Sequence, residues 1–132
     1  MSTSPDGIHT ADLDYAGEIP FGPAYYSLIV DGTKIKDRIF GDRVTWSDNS
    51  RYLAAEEWLS TSSKEGPITR VVLFDMANSN LSEFNPINKG FACDFVFSKN
   101  ILIYRKHYFG KGIISEVEVD IDSIKNWKSI NL

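Results

Sequence analysis

Cysteine is nearly absent from this chain. Cys93 stands alone among 132 residues, so no internal disulfide can form and burial and hydrogen bonding must hold the fold. A lone thiol suits a reducing compartment, and the expected location is the cytoplasm. Histidine is almost as scarce: His9 and His107 are the two, and neither is close to the cysteine in a ligand-like spacing. Asp12-x-Asp14 and Asp120-x-Asp122 place paired carboxylates on one face of an extended strand. Both lack the additional oxygen ligands and the tight glycine turn of a calcium or magnesium loop. No metal and no cofactor is therefore expected. No apolar run approaches the roughly 18 residues of a membrane-spanning helix. The opening Met-Ser-Thr-Ser-Pro-Asp has neither the basic start nor the apolar stretch of a signal peptide. A sustained helical apolar period is also missing. The one helical candidate runs from Asp122 to Lys128, and the repeat described below argues for a turn and a strand there instead.

Positive charge is missing where negative charge collects. Residues 1–33 contain Asp6, Asp12, Asp14, Glu18 and Asp31 and no Lys or Arg, whereas the whole chain sums to −4. Binding to nucleic acid needs a cationic stripe, so a direct nucleic-acid partner is not expected. An acidic segment fits a basic protein partner, or simply a solvated edge.

What the chain does have is repetition. Arg43-Val-Thr-Trp46-Ser47-Asp48-Asn49, Tyr52–Trp58 and Thr69–Met76 are answered by Asp94–Asn100, Ile101–Lys106 and Ser115–Ile121. The turn serines Ser47 and Ser98 lie 51 positions apart, and the aspartates closing the third strand, Asp75 and Asp120, lie 45 apart. Tyr25–Gly32 matches that third strand again, with Asp31 44 residues before Asp75. Short runs of Val, Ile, Phe, Tyr and Trp alternate with turn clusters such as Ser47–Ser50, Ser62–Pro67, Ala77–Asn80, Ser98–Asn100 and Gly110–Gly112. This pattern predicts hairpin-linked strands.

The expected fold is all-β: one domain over 1–132 in which two and a half four-stranded antiparallel units follow one another. Residues 1–24 form an irregular acidic segment, frayed over 1–8. Residues 25–40 make a half unit, 41–85 a second unit and 86–132 a third. In the second unit the strands are Arg43–Trp46, Tyr52–Leu59, Ile68–Met76 and Leu81–Phe84. Repeat-equivalent Trp46, Phe97, Leu53, Leu102, Val72, Phe74, Val117 and Val119 are expected to be buried.

The segment Trp46-Ser47-Asp48-Asn49-Ser50-Arg51-Tyr52-Leu53-Ala54 resembles the blade motif of TolB-like and WD40-type β-propellers. The resemblance implies stacked four-stranded sheets. Too few units are present to close a ring, since about four or more blades are needed. The chain is expected to curl into a sandwich or partial barrel instead.

No catalytic set emerges. Gly110-Lys111-Gly112 lies between strands and reads as a hairpin, because a phosphate cradle needs a following helix N-terminus. In strict alternation Cys93 shares a face with Phe91, Phe95 and Phe97 and reads as a core thiol. His107 follows Arg105-Lys106, a cationic setting that weakens a base. Glu56 and Glu57 are adjacent on one strand and so face opposite ways, which prevents joint action on one bond. The expectation is a protein that is not an enzyme.

Recognition surface remains. Asp12, Asp14, Tyr15, Glu18 and Phe21 mix carboxylates with aromatics, as protein contacts do. Glu56, Glu57 and Trp58 end one strand where Arg105-Lys106-His107-Tyr108 end its repeat, so neighbouring units can pair those charges. In size, acidity and lack of a catalytic set the chain resembles immunity partners of contact-dependent and other polymorphic bacterial toxins. That resemblance implies stoichiometric neutralisation of a basic, nuclease-type toxin. The partner-binding residues are then Asp12, Asp14, Tyr15, Glu18, Glu56, Glu57 and Trp58. The alternatives are a propeller-like scaffold or accessory subunit that assembles with another chain, self-association included, and a small hydrolase or ligand-binding barrel with a scattered site.

Overall fold

The turn after Trp46 shows how local chemistry starts the fold. Ser47 Oγ accepts the Tyr52 N–H (2.9 Å) and donates to Asn49 Oδ1 (2.6 Å), while Asn49 also accepts the Arg51 N–H at 3.1 Å. Ser50 takes a left-handed φ of 63°, and the chain reverses. The repeat-equivalent aspartates likewise close their strands. Asp75 accepts the Ala77 N–H and Asp120 the Asp122 N–H, each two residues on, whereas Asp31 accepts the distant Thr10 N–H.

A computed structural model describes residues 1–20, 22–62, 64–108, 110 and 112–132; Phe21, Ser63, Phe109 and Lys111 lie outside the described residues. The early strands are β1 (Ser2–Thr3), β2 (Thr10–Glu18), β3 (Ala24–Val30), β4 (Thr33–Lys34) and β5 (Ile39–Trp46). They are followed by β6 (Tyr52–Trp58), β7 (Ile68–Asp75), β8 (Asn80–Glu83) and β9 (Ile87–Asn88). The last are β10 (Gly90–Ser98), β11 (Ile101–Tyr108), β12 (Ile114–Asp120) and β13 (Trp127–Ser129). A single 3-10 turn, Ile121–Ser123, is capped by Asp120 and leads towards β13. No helix among the described residues is long and apolar enough to cross a membrane.

The protein is all-β and antiparallel. Ten strands form a large sheet in the order β1-β2-β3-β5-β6-β7-β8-β13, with β4 on β3 and β9 on β7, and β10-β11-β12 form a second sheet. The large sheet curls without closing into a barrel. Leu28 and Val30 from β3, Phe40 from β5, Leu53 from β6, Phe74 from β7 and Leu81 from β8 meet in one core. The small sheet packs on the other face, where Val71, Leu73 and Ile87 meet Phe95, Leu102 and Tyr104 in a second core.

Strand β6 therefore lies between two cores, and all seven of its residues are buried. Its sequence cannot alternate polar with apolar, because neither of its faces meets water.

The second unit has the expected four-stranded meander, β5 to β8. The third does not keep its fourth strand. β13 pairs with β8 of the preceding unit, Trp127 opposite Ser82, and ties the two sheets together. The N-terminus is also more ordered than expected. β1 pairs with β2, Ser4 is buried, and Trp46 Nε1 donates to Ser2 Oγ at 3.1 Å. Of the expected core residues, Leu53, Leu102, Val72 and Phe74 are fully buried. Trp46, Phe97, Val117 and Val119 are half-buried against the cores, since they sit at strand ends or on the small sheet's outermost strand.

Cys93 is not a core thiol. A bulge between Cys93 and Val96, with Asp94 at φ 56°, resets the alternation so that Ala92 and Phe95 point inward. Cys93 is left half-buried, its Sγ 3.7 Å from the Arg105 carbonyl, and burial followed by the neighbouring Asp94 pushes its pKa up.

Candidate functional site

Three features are built from the residues singled out in the sequence. The first is the outer edge of β2. β1 pairs only with Thr10 and Ala11, so beyond them no strand among the described residues covers that edge. Asp12 is half-exposed, Asp14 and Glu18 are exposed, and Tyr15 is 65% exposed. Tyr15 meets Tyr26 edge-on, with ring centroids 6.5 Å apart, which props the ring against β3. The Met1 ammonium lies 3.7 Å from Asp12. Asp12, Asp14, Tyr15 and Glu18 thus lie along one strand, whereas Phe21 falls outside the described residues.

The second feature surrounds Glu57, which is only 4% exposed. Arg38 donates to both its oxygens at 2.9 and 3.1 Å, and Arg70 Nε donates at 2.6 Å. Both arginines reach on to Glu83, which Lys128 also contacts. Lys128 first, then Arg38 and Arg70, hold the Glu83 carboxyl below the usual range. The charges of Glu57 are met within β5–β8 and the segment before them, and not by β11, where Arg105 lies opposite Glu116. A carboxylate this enclosed is an internal tie, held by Arg38 and Arg70.

The third feature is a cleft of about 370 Å³ where β3, β5 and β6 face β10 and β11. Glu56 is at its base, 9% exposed and turned the opposite way from Glu57. Between Phe40 and Val44 the register of β5 slips, so Gly41-Asp42-Arg43 bulge across from Glu56. The β10 bulge at Asp94 borders the same cleft. Glu56 Oε1 accepts the Trp58 indole N–H at 3.1 Å, and Oε2 accepts the Ala92 N–H at 2.7 Å. That second bond, with Thr69 Oγ1 donating to the Gly90 carbonyl at 2.8 Å, joins the free edge of β10 to the large sheet. A Cβ at Gly41 would collide with Glu56 Oε1 and come within 3.2 Å of Trp58 Nε1, so any side chain here would force the carboxyl to shift from its present bonds. Burial pushes the Glu56 pKa up to about 7, against the two N–H donors, which favour its charged form. Trp58, itself buried, packs on Phe91 with centroids 5.5 Å apart and forms the aromatic wall.

Sequence patterns brought Glu56, Glu57 and Trp58 forward but gave them one role; the fold sends them to two. Gly41, Asp42, Ala92 and Asp94 were not singled out as site residues. An isolated glycine inside a strand pattern was the available signal, since it marks a bulge or a close approach. No family model matches the chain, and neither a curated protein nor a solved structure matches it.

Proposed function

We propose that this protein binds a basic protein partner stoichiometrically and acts as an immunity protein against a bacterial toxin domain. The observation that carries this reading is the edge of β2 left uncovered among the described residues, along which Asp12, Asp14, Glu18 and an exposed Tyr15 follow one another. An open edge offers backbone hydrogen bonds to an incoming segment, the carboxylates draw a cationic surface, and the tyrosine supplies an anchor. Inhibition follows from covering the partner's active surface and needs no chemistry by the inhibitor. The proposed contact is confined to the β2 edge, since Glu56, Glu57 and Trp58 are buried.

The test is association kinetics with a basic toxin domain, to be sought in the gene adjacent to this one. Asp12→Asn, Asp14→Asn and Glu18→Gln together are expected to lower the association rate by about tenfold or more at low salt, with little change in dissociation. Unchanged kinetics would remove the site assignment. A second reading is favoured by the outer edge of β12, which no strand among the described residues covers: a scaffold that completes its array with another chain. Self-assembly in the absence of any basic partner would support it.

A further inference from the structure

The Glu56 cleft has a construction that the docking of a protein on β2 does not use. Two irregular strand segments face each other across it, and both are specified by residue choice. Gly41 lets β5 approach Glu56, and Asp94 adopts the left-handed conformation that asparagine and aspartate tolerate best among side-chain-bearing residues. Bulges re-aim side chains, and here they surround a buried carboxyl with two further carboxylates, Asp42 and Asp94, at the mouth. Glu56 spends one lone pair of each oxygen on Trp58 and Ala92 and keeps the others. The wall is aromatic, from Trp58 and Phe91.

We propose that this cleft is a binding site for an organic cation, an alkylammonium or guanidinium group held among Glu56, Asp42 and Asp94 and against Trp58 and Phe91. Carboxylates supply the counter-charge, and an aromatic wall in a partly dry cleft adds attraction that a hydrated metal ion would not gain. A volume of about 370 Å³ admits a group of this size. Arg43, with a side chain 70% exposed and 3.9 Å from Asp42, is the resident competitor at the mouth. His107 and Cys93 line the cleft as well, and Tyr26 closes it from β3. The same chemistry arrives either as a free amine or as a lysine or arginine side chain of a polypeptide.

Binding must couple to the Glu56 proton, since the cation favours the ionised carboxyl. With a Glu56 pKa of about 7, a probe that binds only the ionised form is expected to bind about tenfold more tightly at pH 8 than at pH 6.

The experiment titrates the full chain with n-butylammonium, n-butylguanidinium and neutral n-butanol while following amide and indole resonances. Both cations are expected to give saturable shifts at Gly41, Ala92 and the Trp58 indole N–H, and n-butanol none. Glu56→Gln is expected to flatten the pH dependence. Asp42→Asn and Asp94→Asn, at exposed positions that asparagine fits, are each expected to weaken the cations by about two- to fivefold. Arg43→Gln is expected to tighten them. A blocked Gly-Lys-Gly peptide that binds as well as butylammonium identifies a polypeptide side chain as the source, and its exclusion identifies a free amine. Equal shifts from n-butanol, or no saturable response to either cation at about 20 mM, would overturn the proposal.

Discussion

Replacing Glu56 with glutamine should make the protein more stable in mild alkali than the native chain. The carboxyl titrates from 4.5 in the unfolded chain to about 7 when buried. Below the unfolded value both states hold the proton and the group is neutral. As pH rises, the unfolded chain releases its proton first while the fold retains it. The unfolded state then binds fewer protons, so stability falls with pH and levels off above the folded value. The full penalty is about 3 kcal/mol, and about 2.5 kcal/mol of it develops between pH 5 and pH 8. Glutamine escapes this penalty but keeps only one acceptor for the Trp58 and Ala92 N–H groups, a loss of about 1 kcal/mol. Glu56→Gln is therefore expected to match the native chain near pH 5 and exceed it by about 2 kcal/mol at pH 8. Urea unfolding of both proteins at pH 5, 6, 7 and 8 measures this directly. Glu83 and Asp75 act the opposite way. Lys128 holds Glu83 low, while burial raises Asp75 and its bonded Arg51 more than offsets that. Their contributions are lost as pH falls below the usual carboxylate range, outside this window. A stability difference that stays flat from pH 5 to pH 8 would refute the account of Glu56 as an enclosed carboxyl.

Phe74→Ala, at a site with no exposure, should cost about 3–5 kcal/mol, whereas half-buried Trp46→Ala should cost about 2 kcal/mol, both read by denaturant titration. Arg70→Met removes one of the two arginines that bridge Glu57 and Glu83 and should destabilise by about 3–5 kcal/mol. Its coupling with Glu57→Gln in a double-mutant cycle should exceed about 1 kcal/mol. Removing residues 1–8 strips β1 and the Ser2 bond to Trp46, and should lower stability by about 1–2 kcal/mol instead of leaving it unchanged.

The strands from β5 to β8 could be read from the sequence because their signals are local. Ser47 and Asn49 build their turn from side chains within five residues, and Asp75 does the same three residues on. Composition alone gave the acidic stretch that ends up on the β2 edge, since a run without cations stays acidic however it folds.

Tertiary structure decided what depends on distant neighbours. Cys93 left the core because a single left-handed residue, Asp94, shifted the alternation of β10, and period-two reasoning assumes no such shift. β13 pairs with β8 across more than forty residues, so no repeat could reveal that the third unit gives up its fourth strand. Glu56 and Glu57 are the clearest division. Their adjacency told the sequence reader that they face opposite ways, and they do. Which one meets arginines and which one enters the cleft between the sheets without an ion-pair partner of its own depended on the curl of the large sheet, which brings Arg38 and Arg70 to one face and β10 to the other. An extended strand dictates the direction of a side chain, and only packing dictates the medium into which it points.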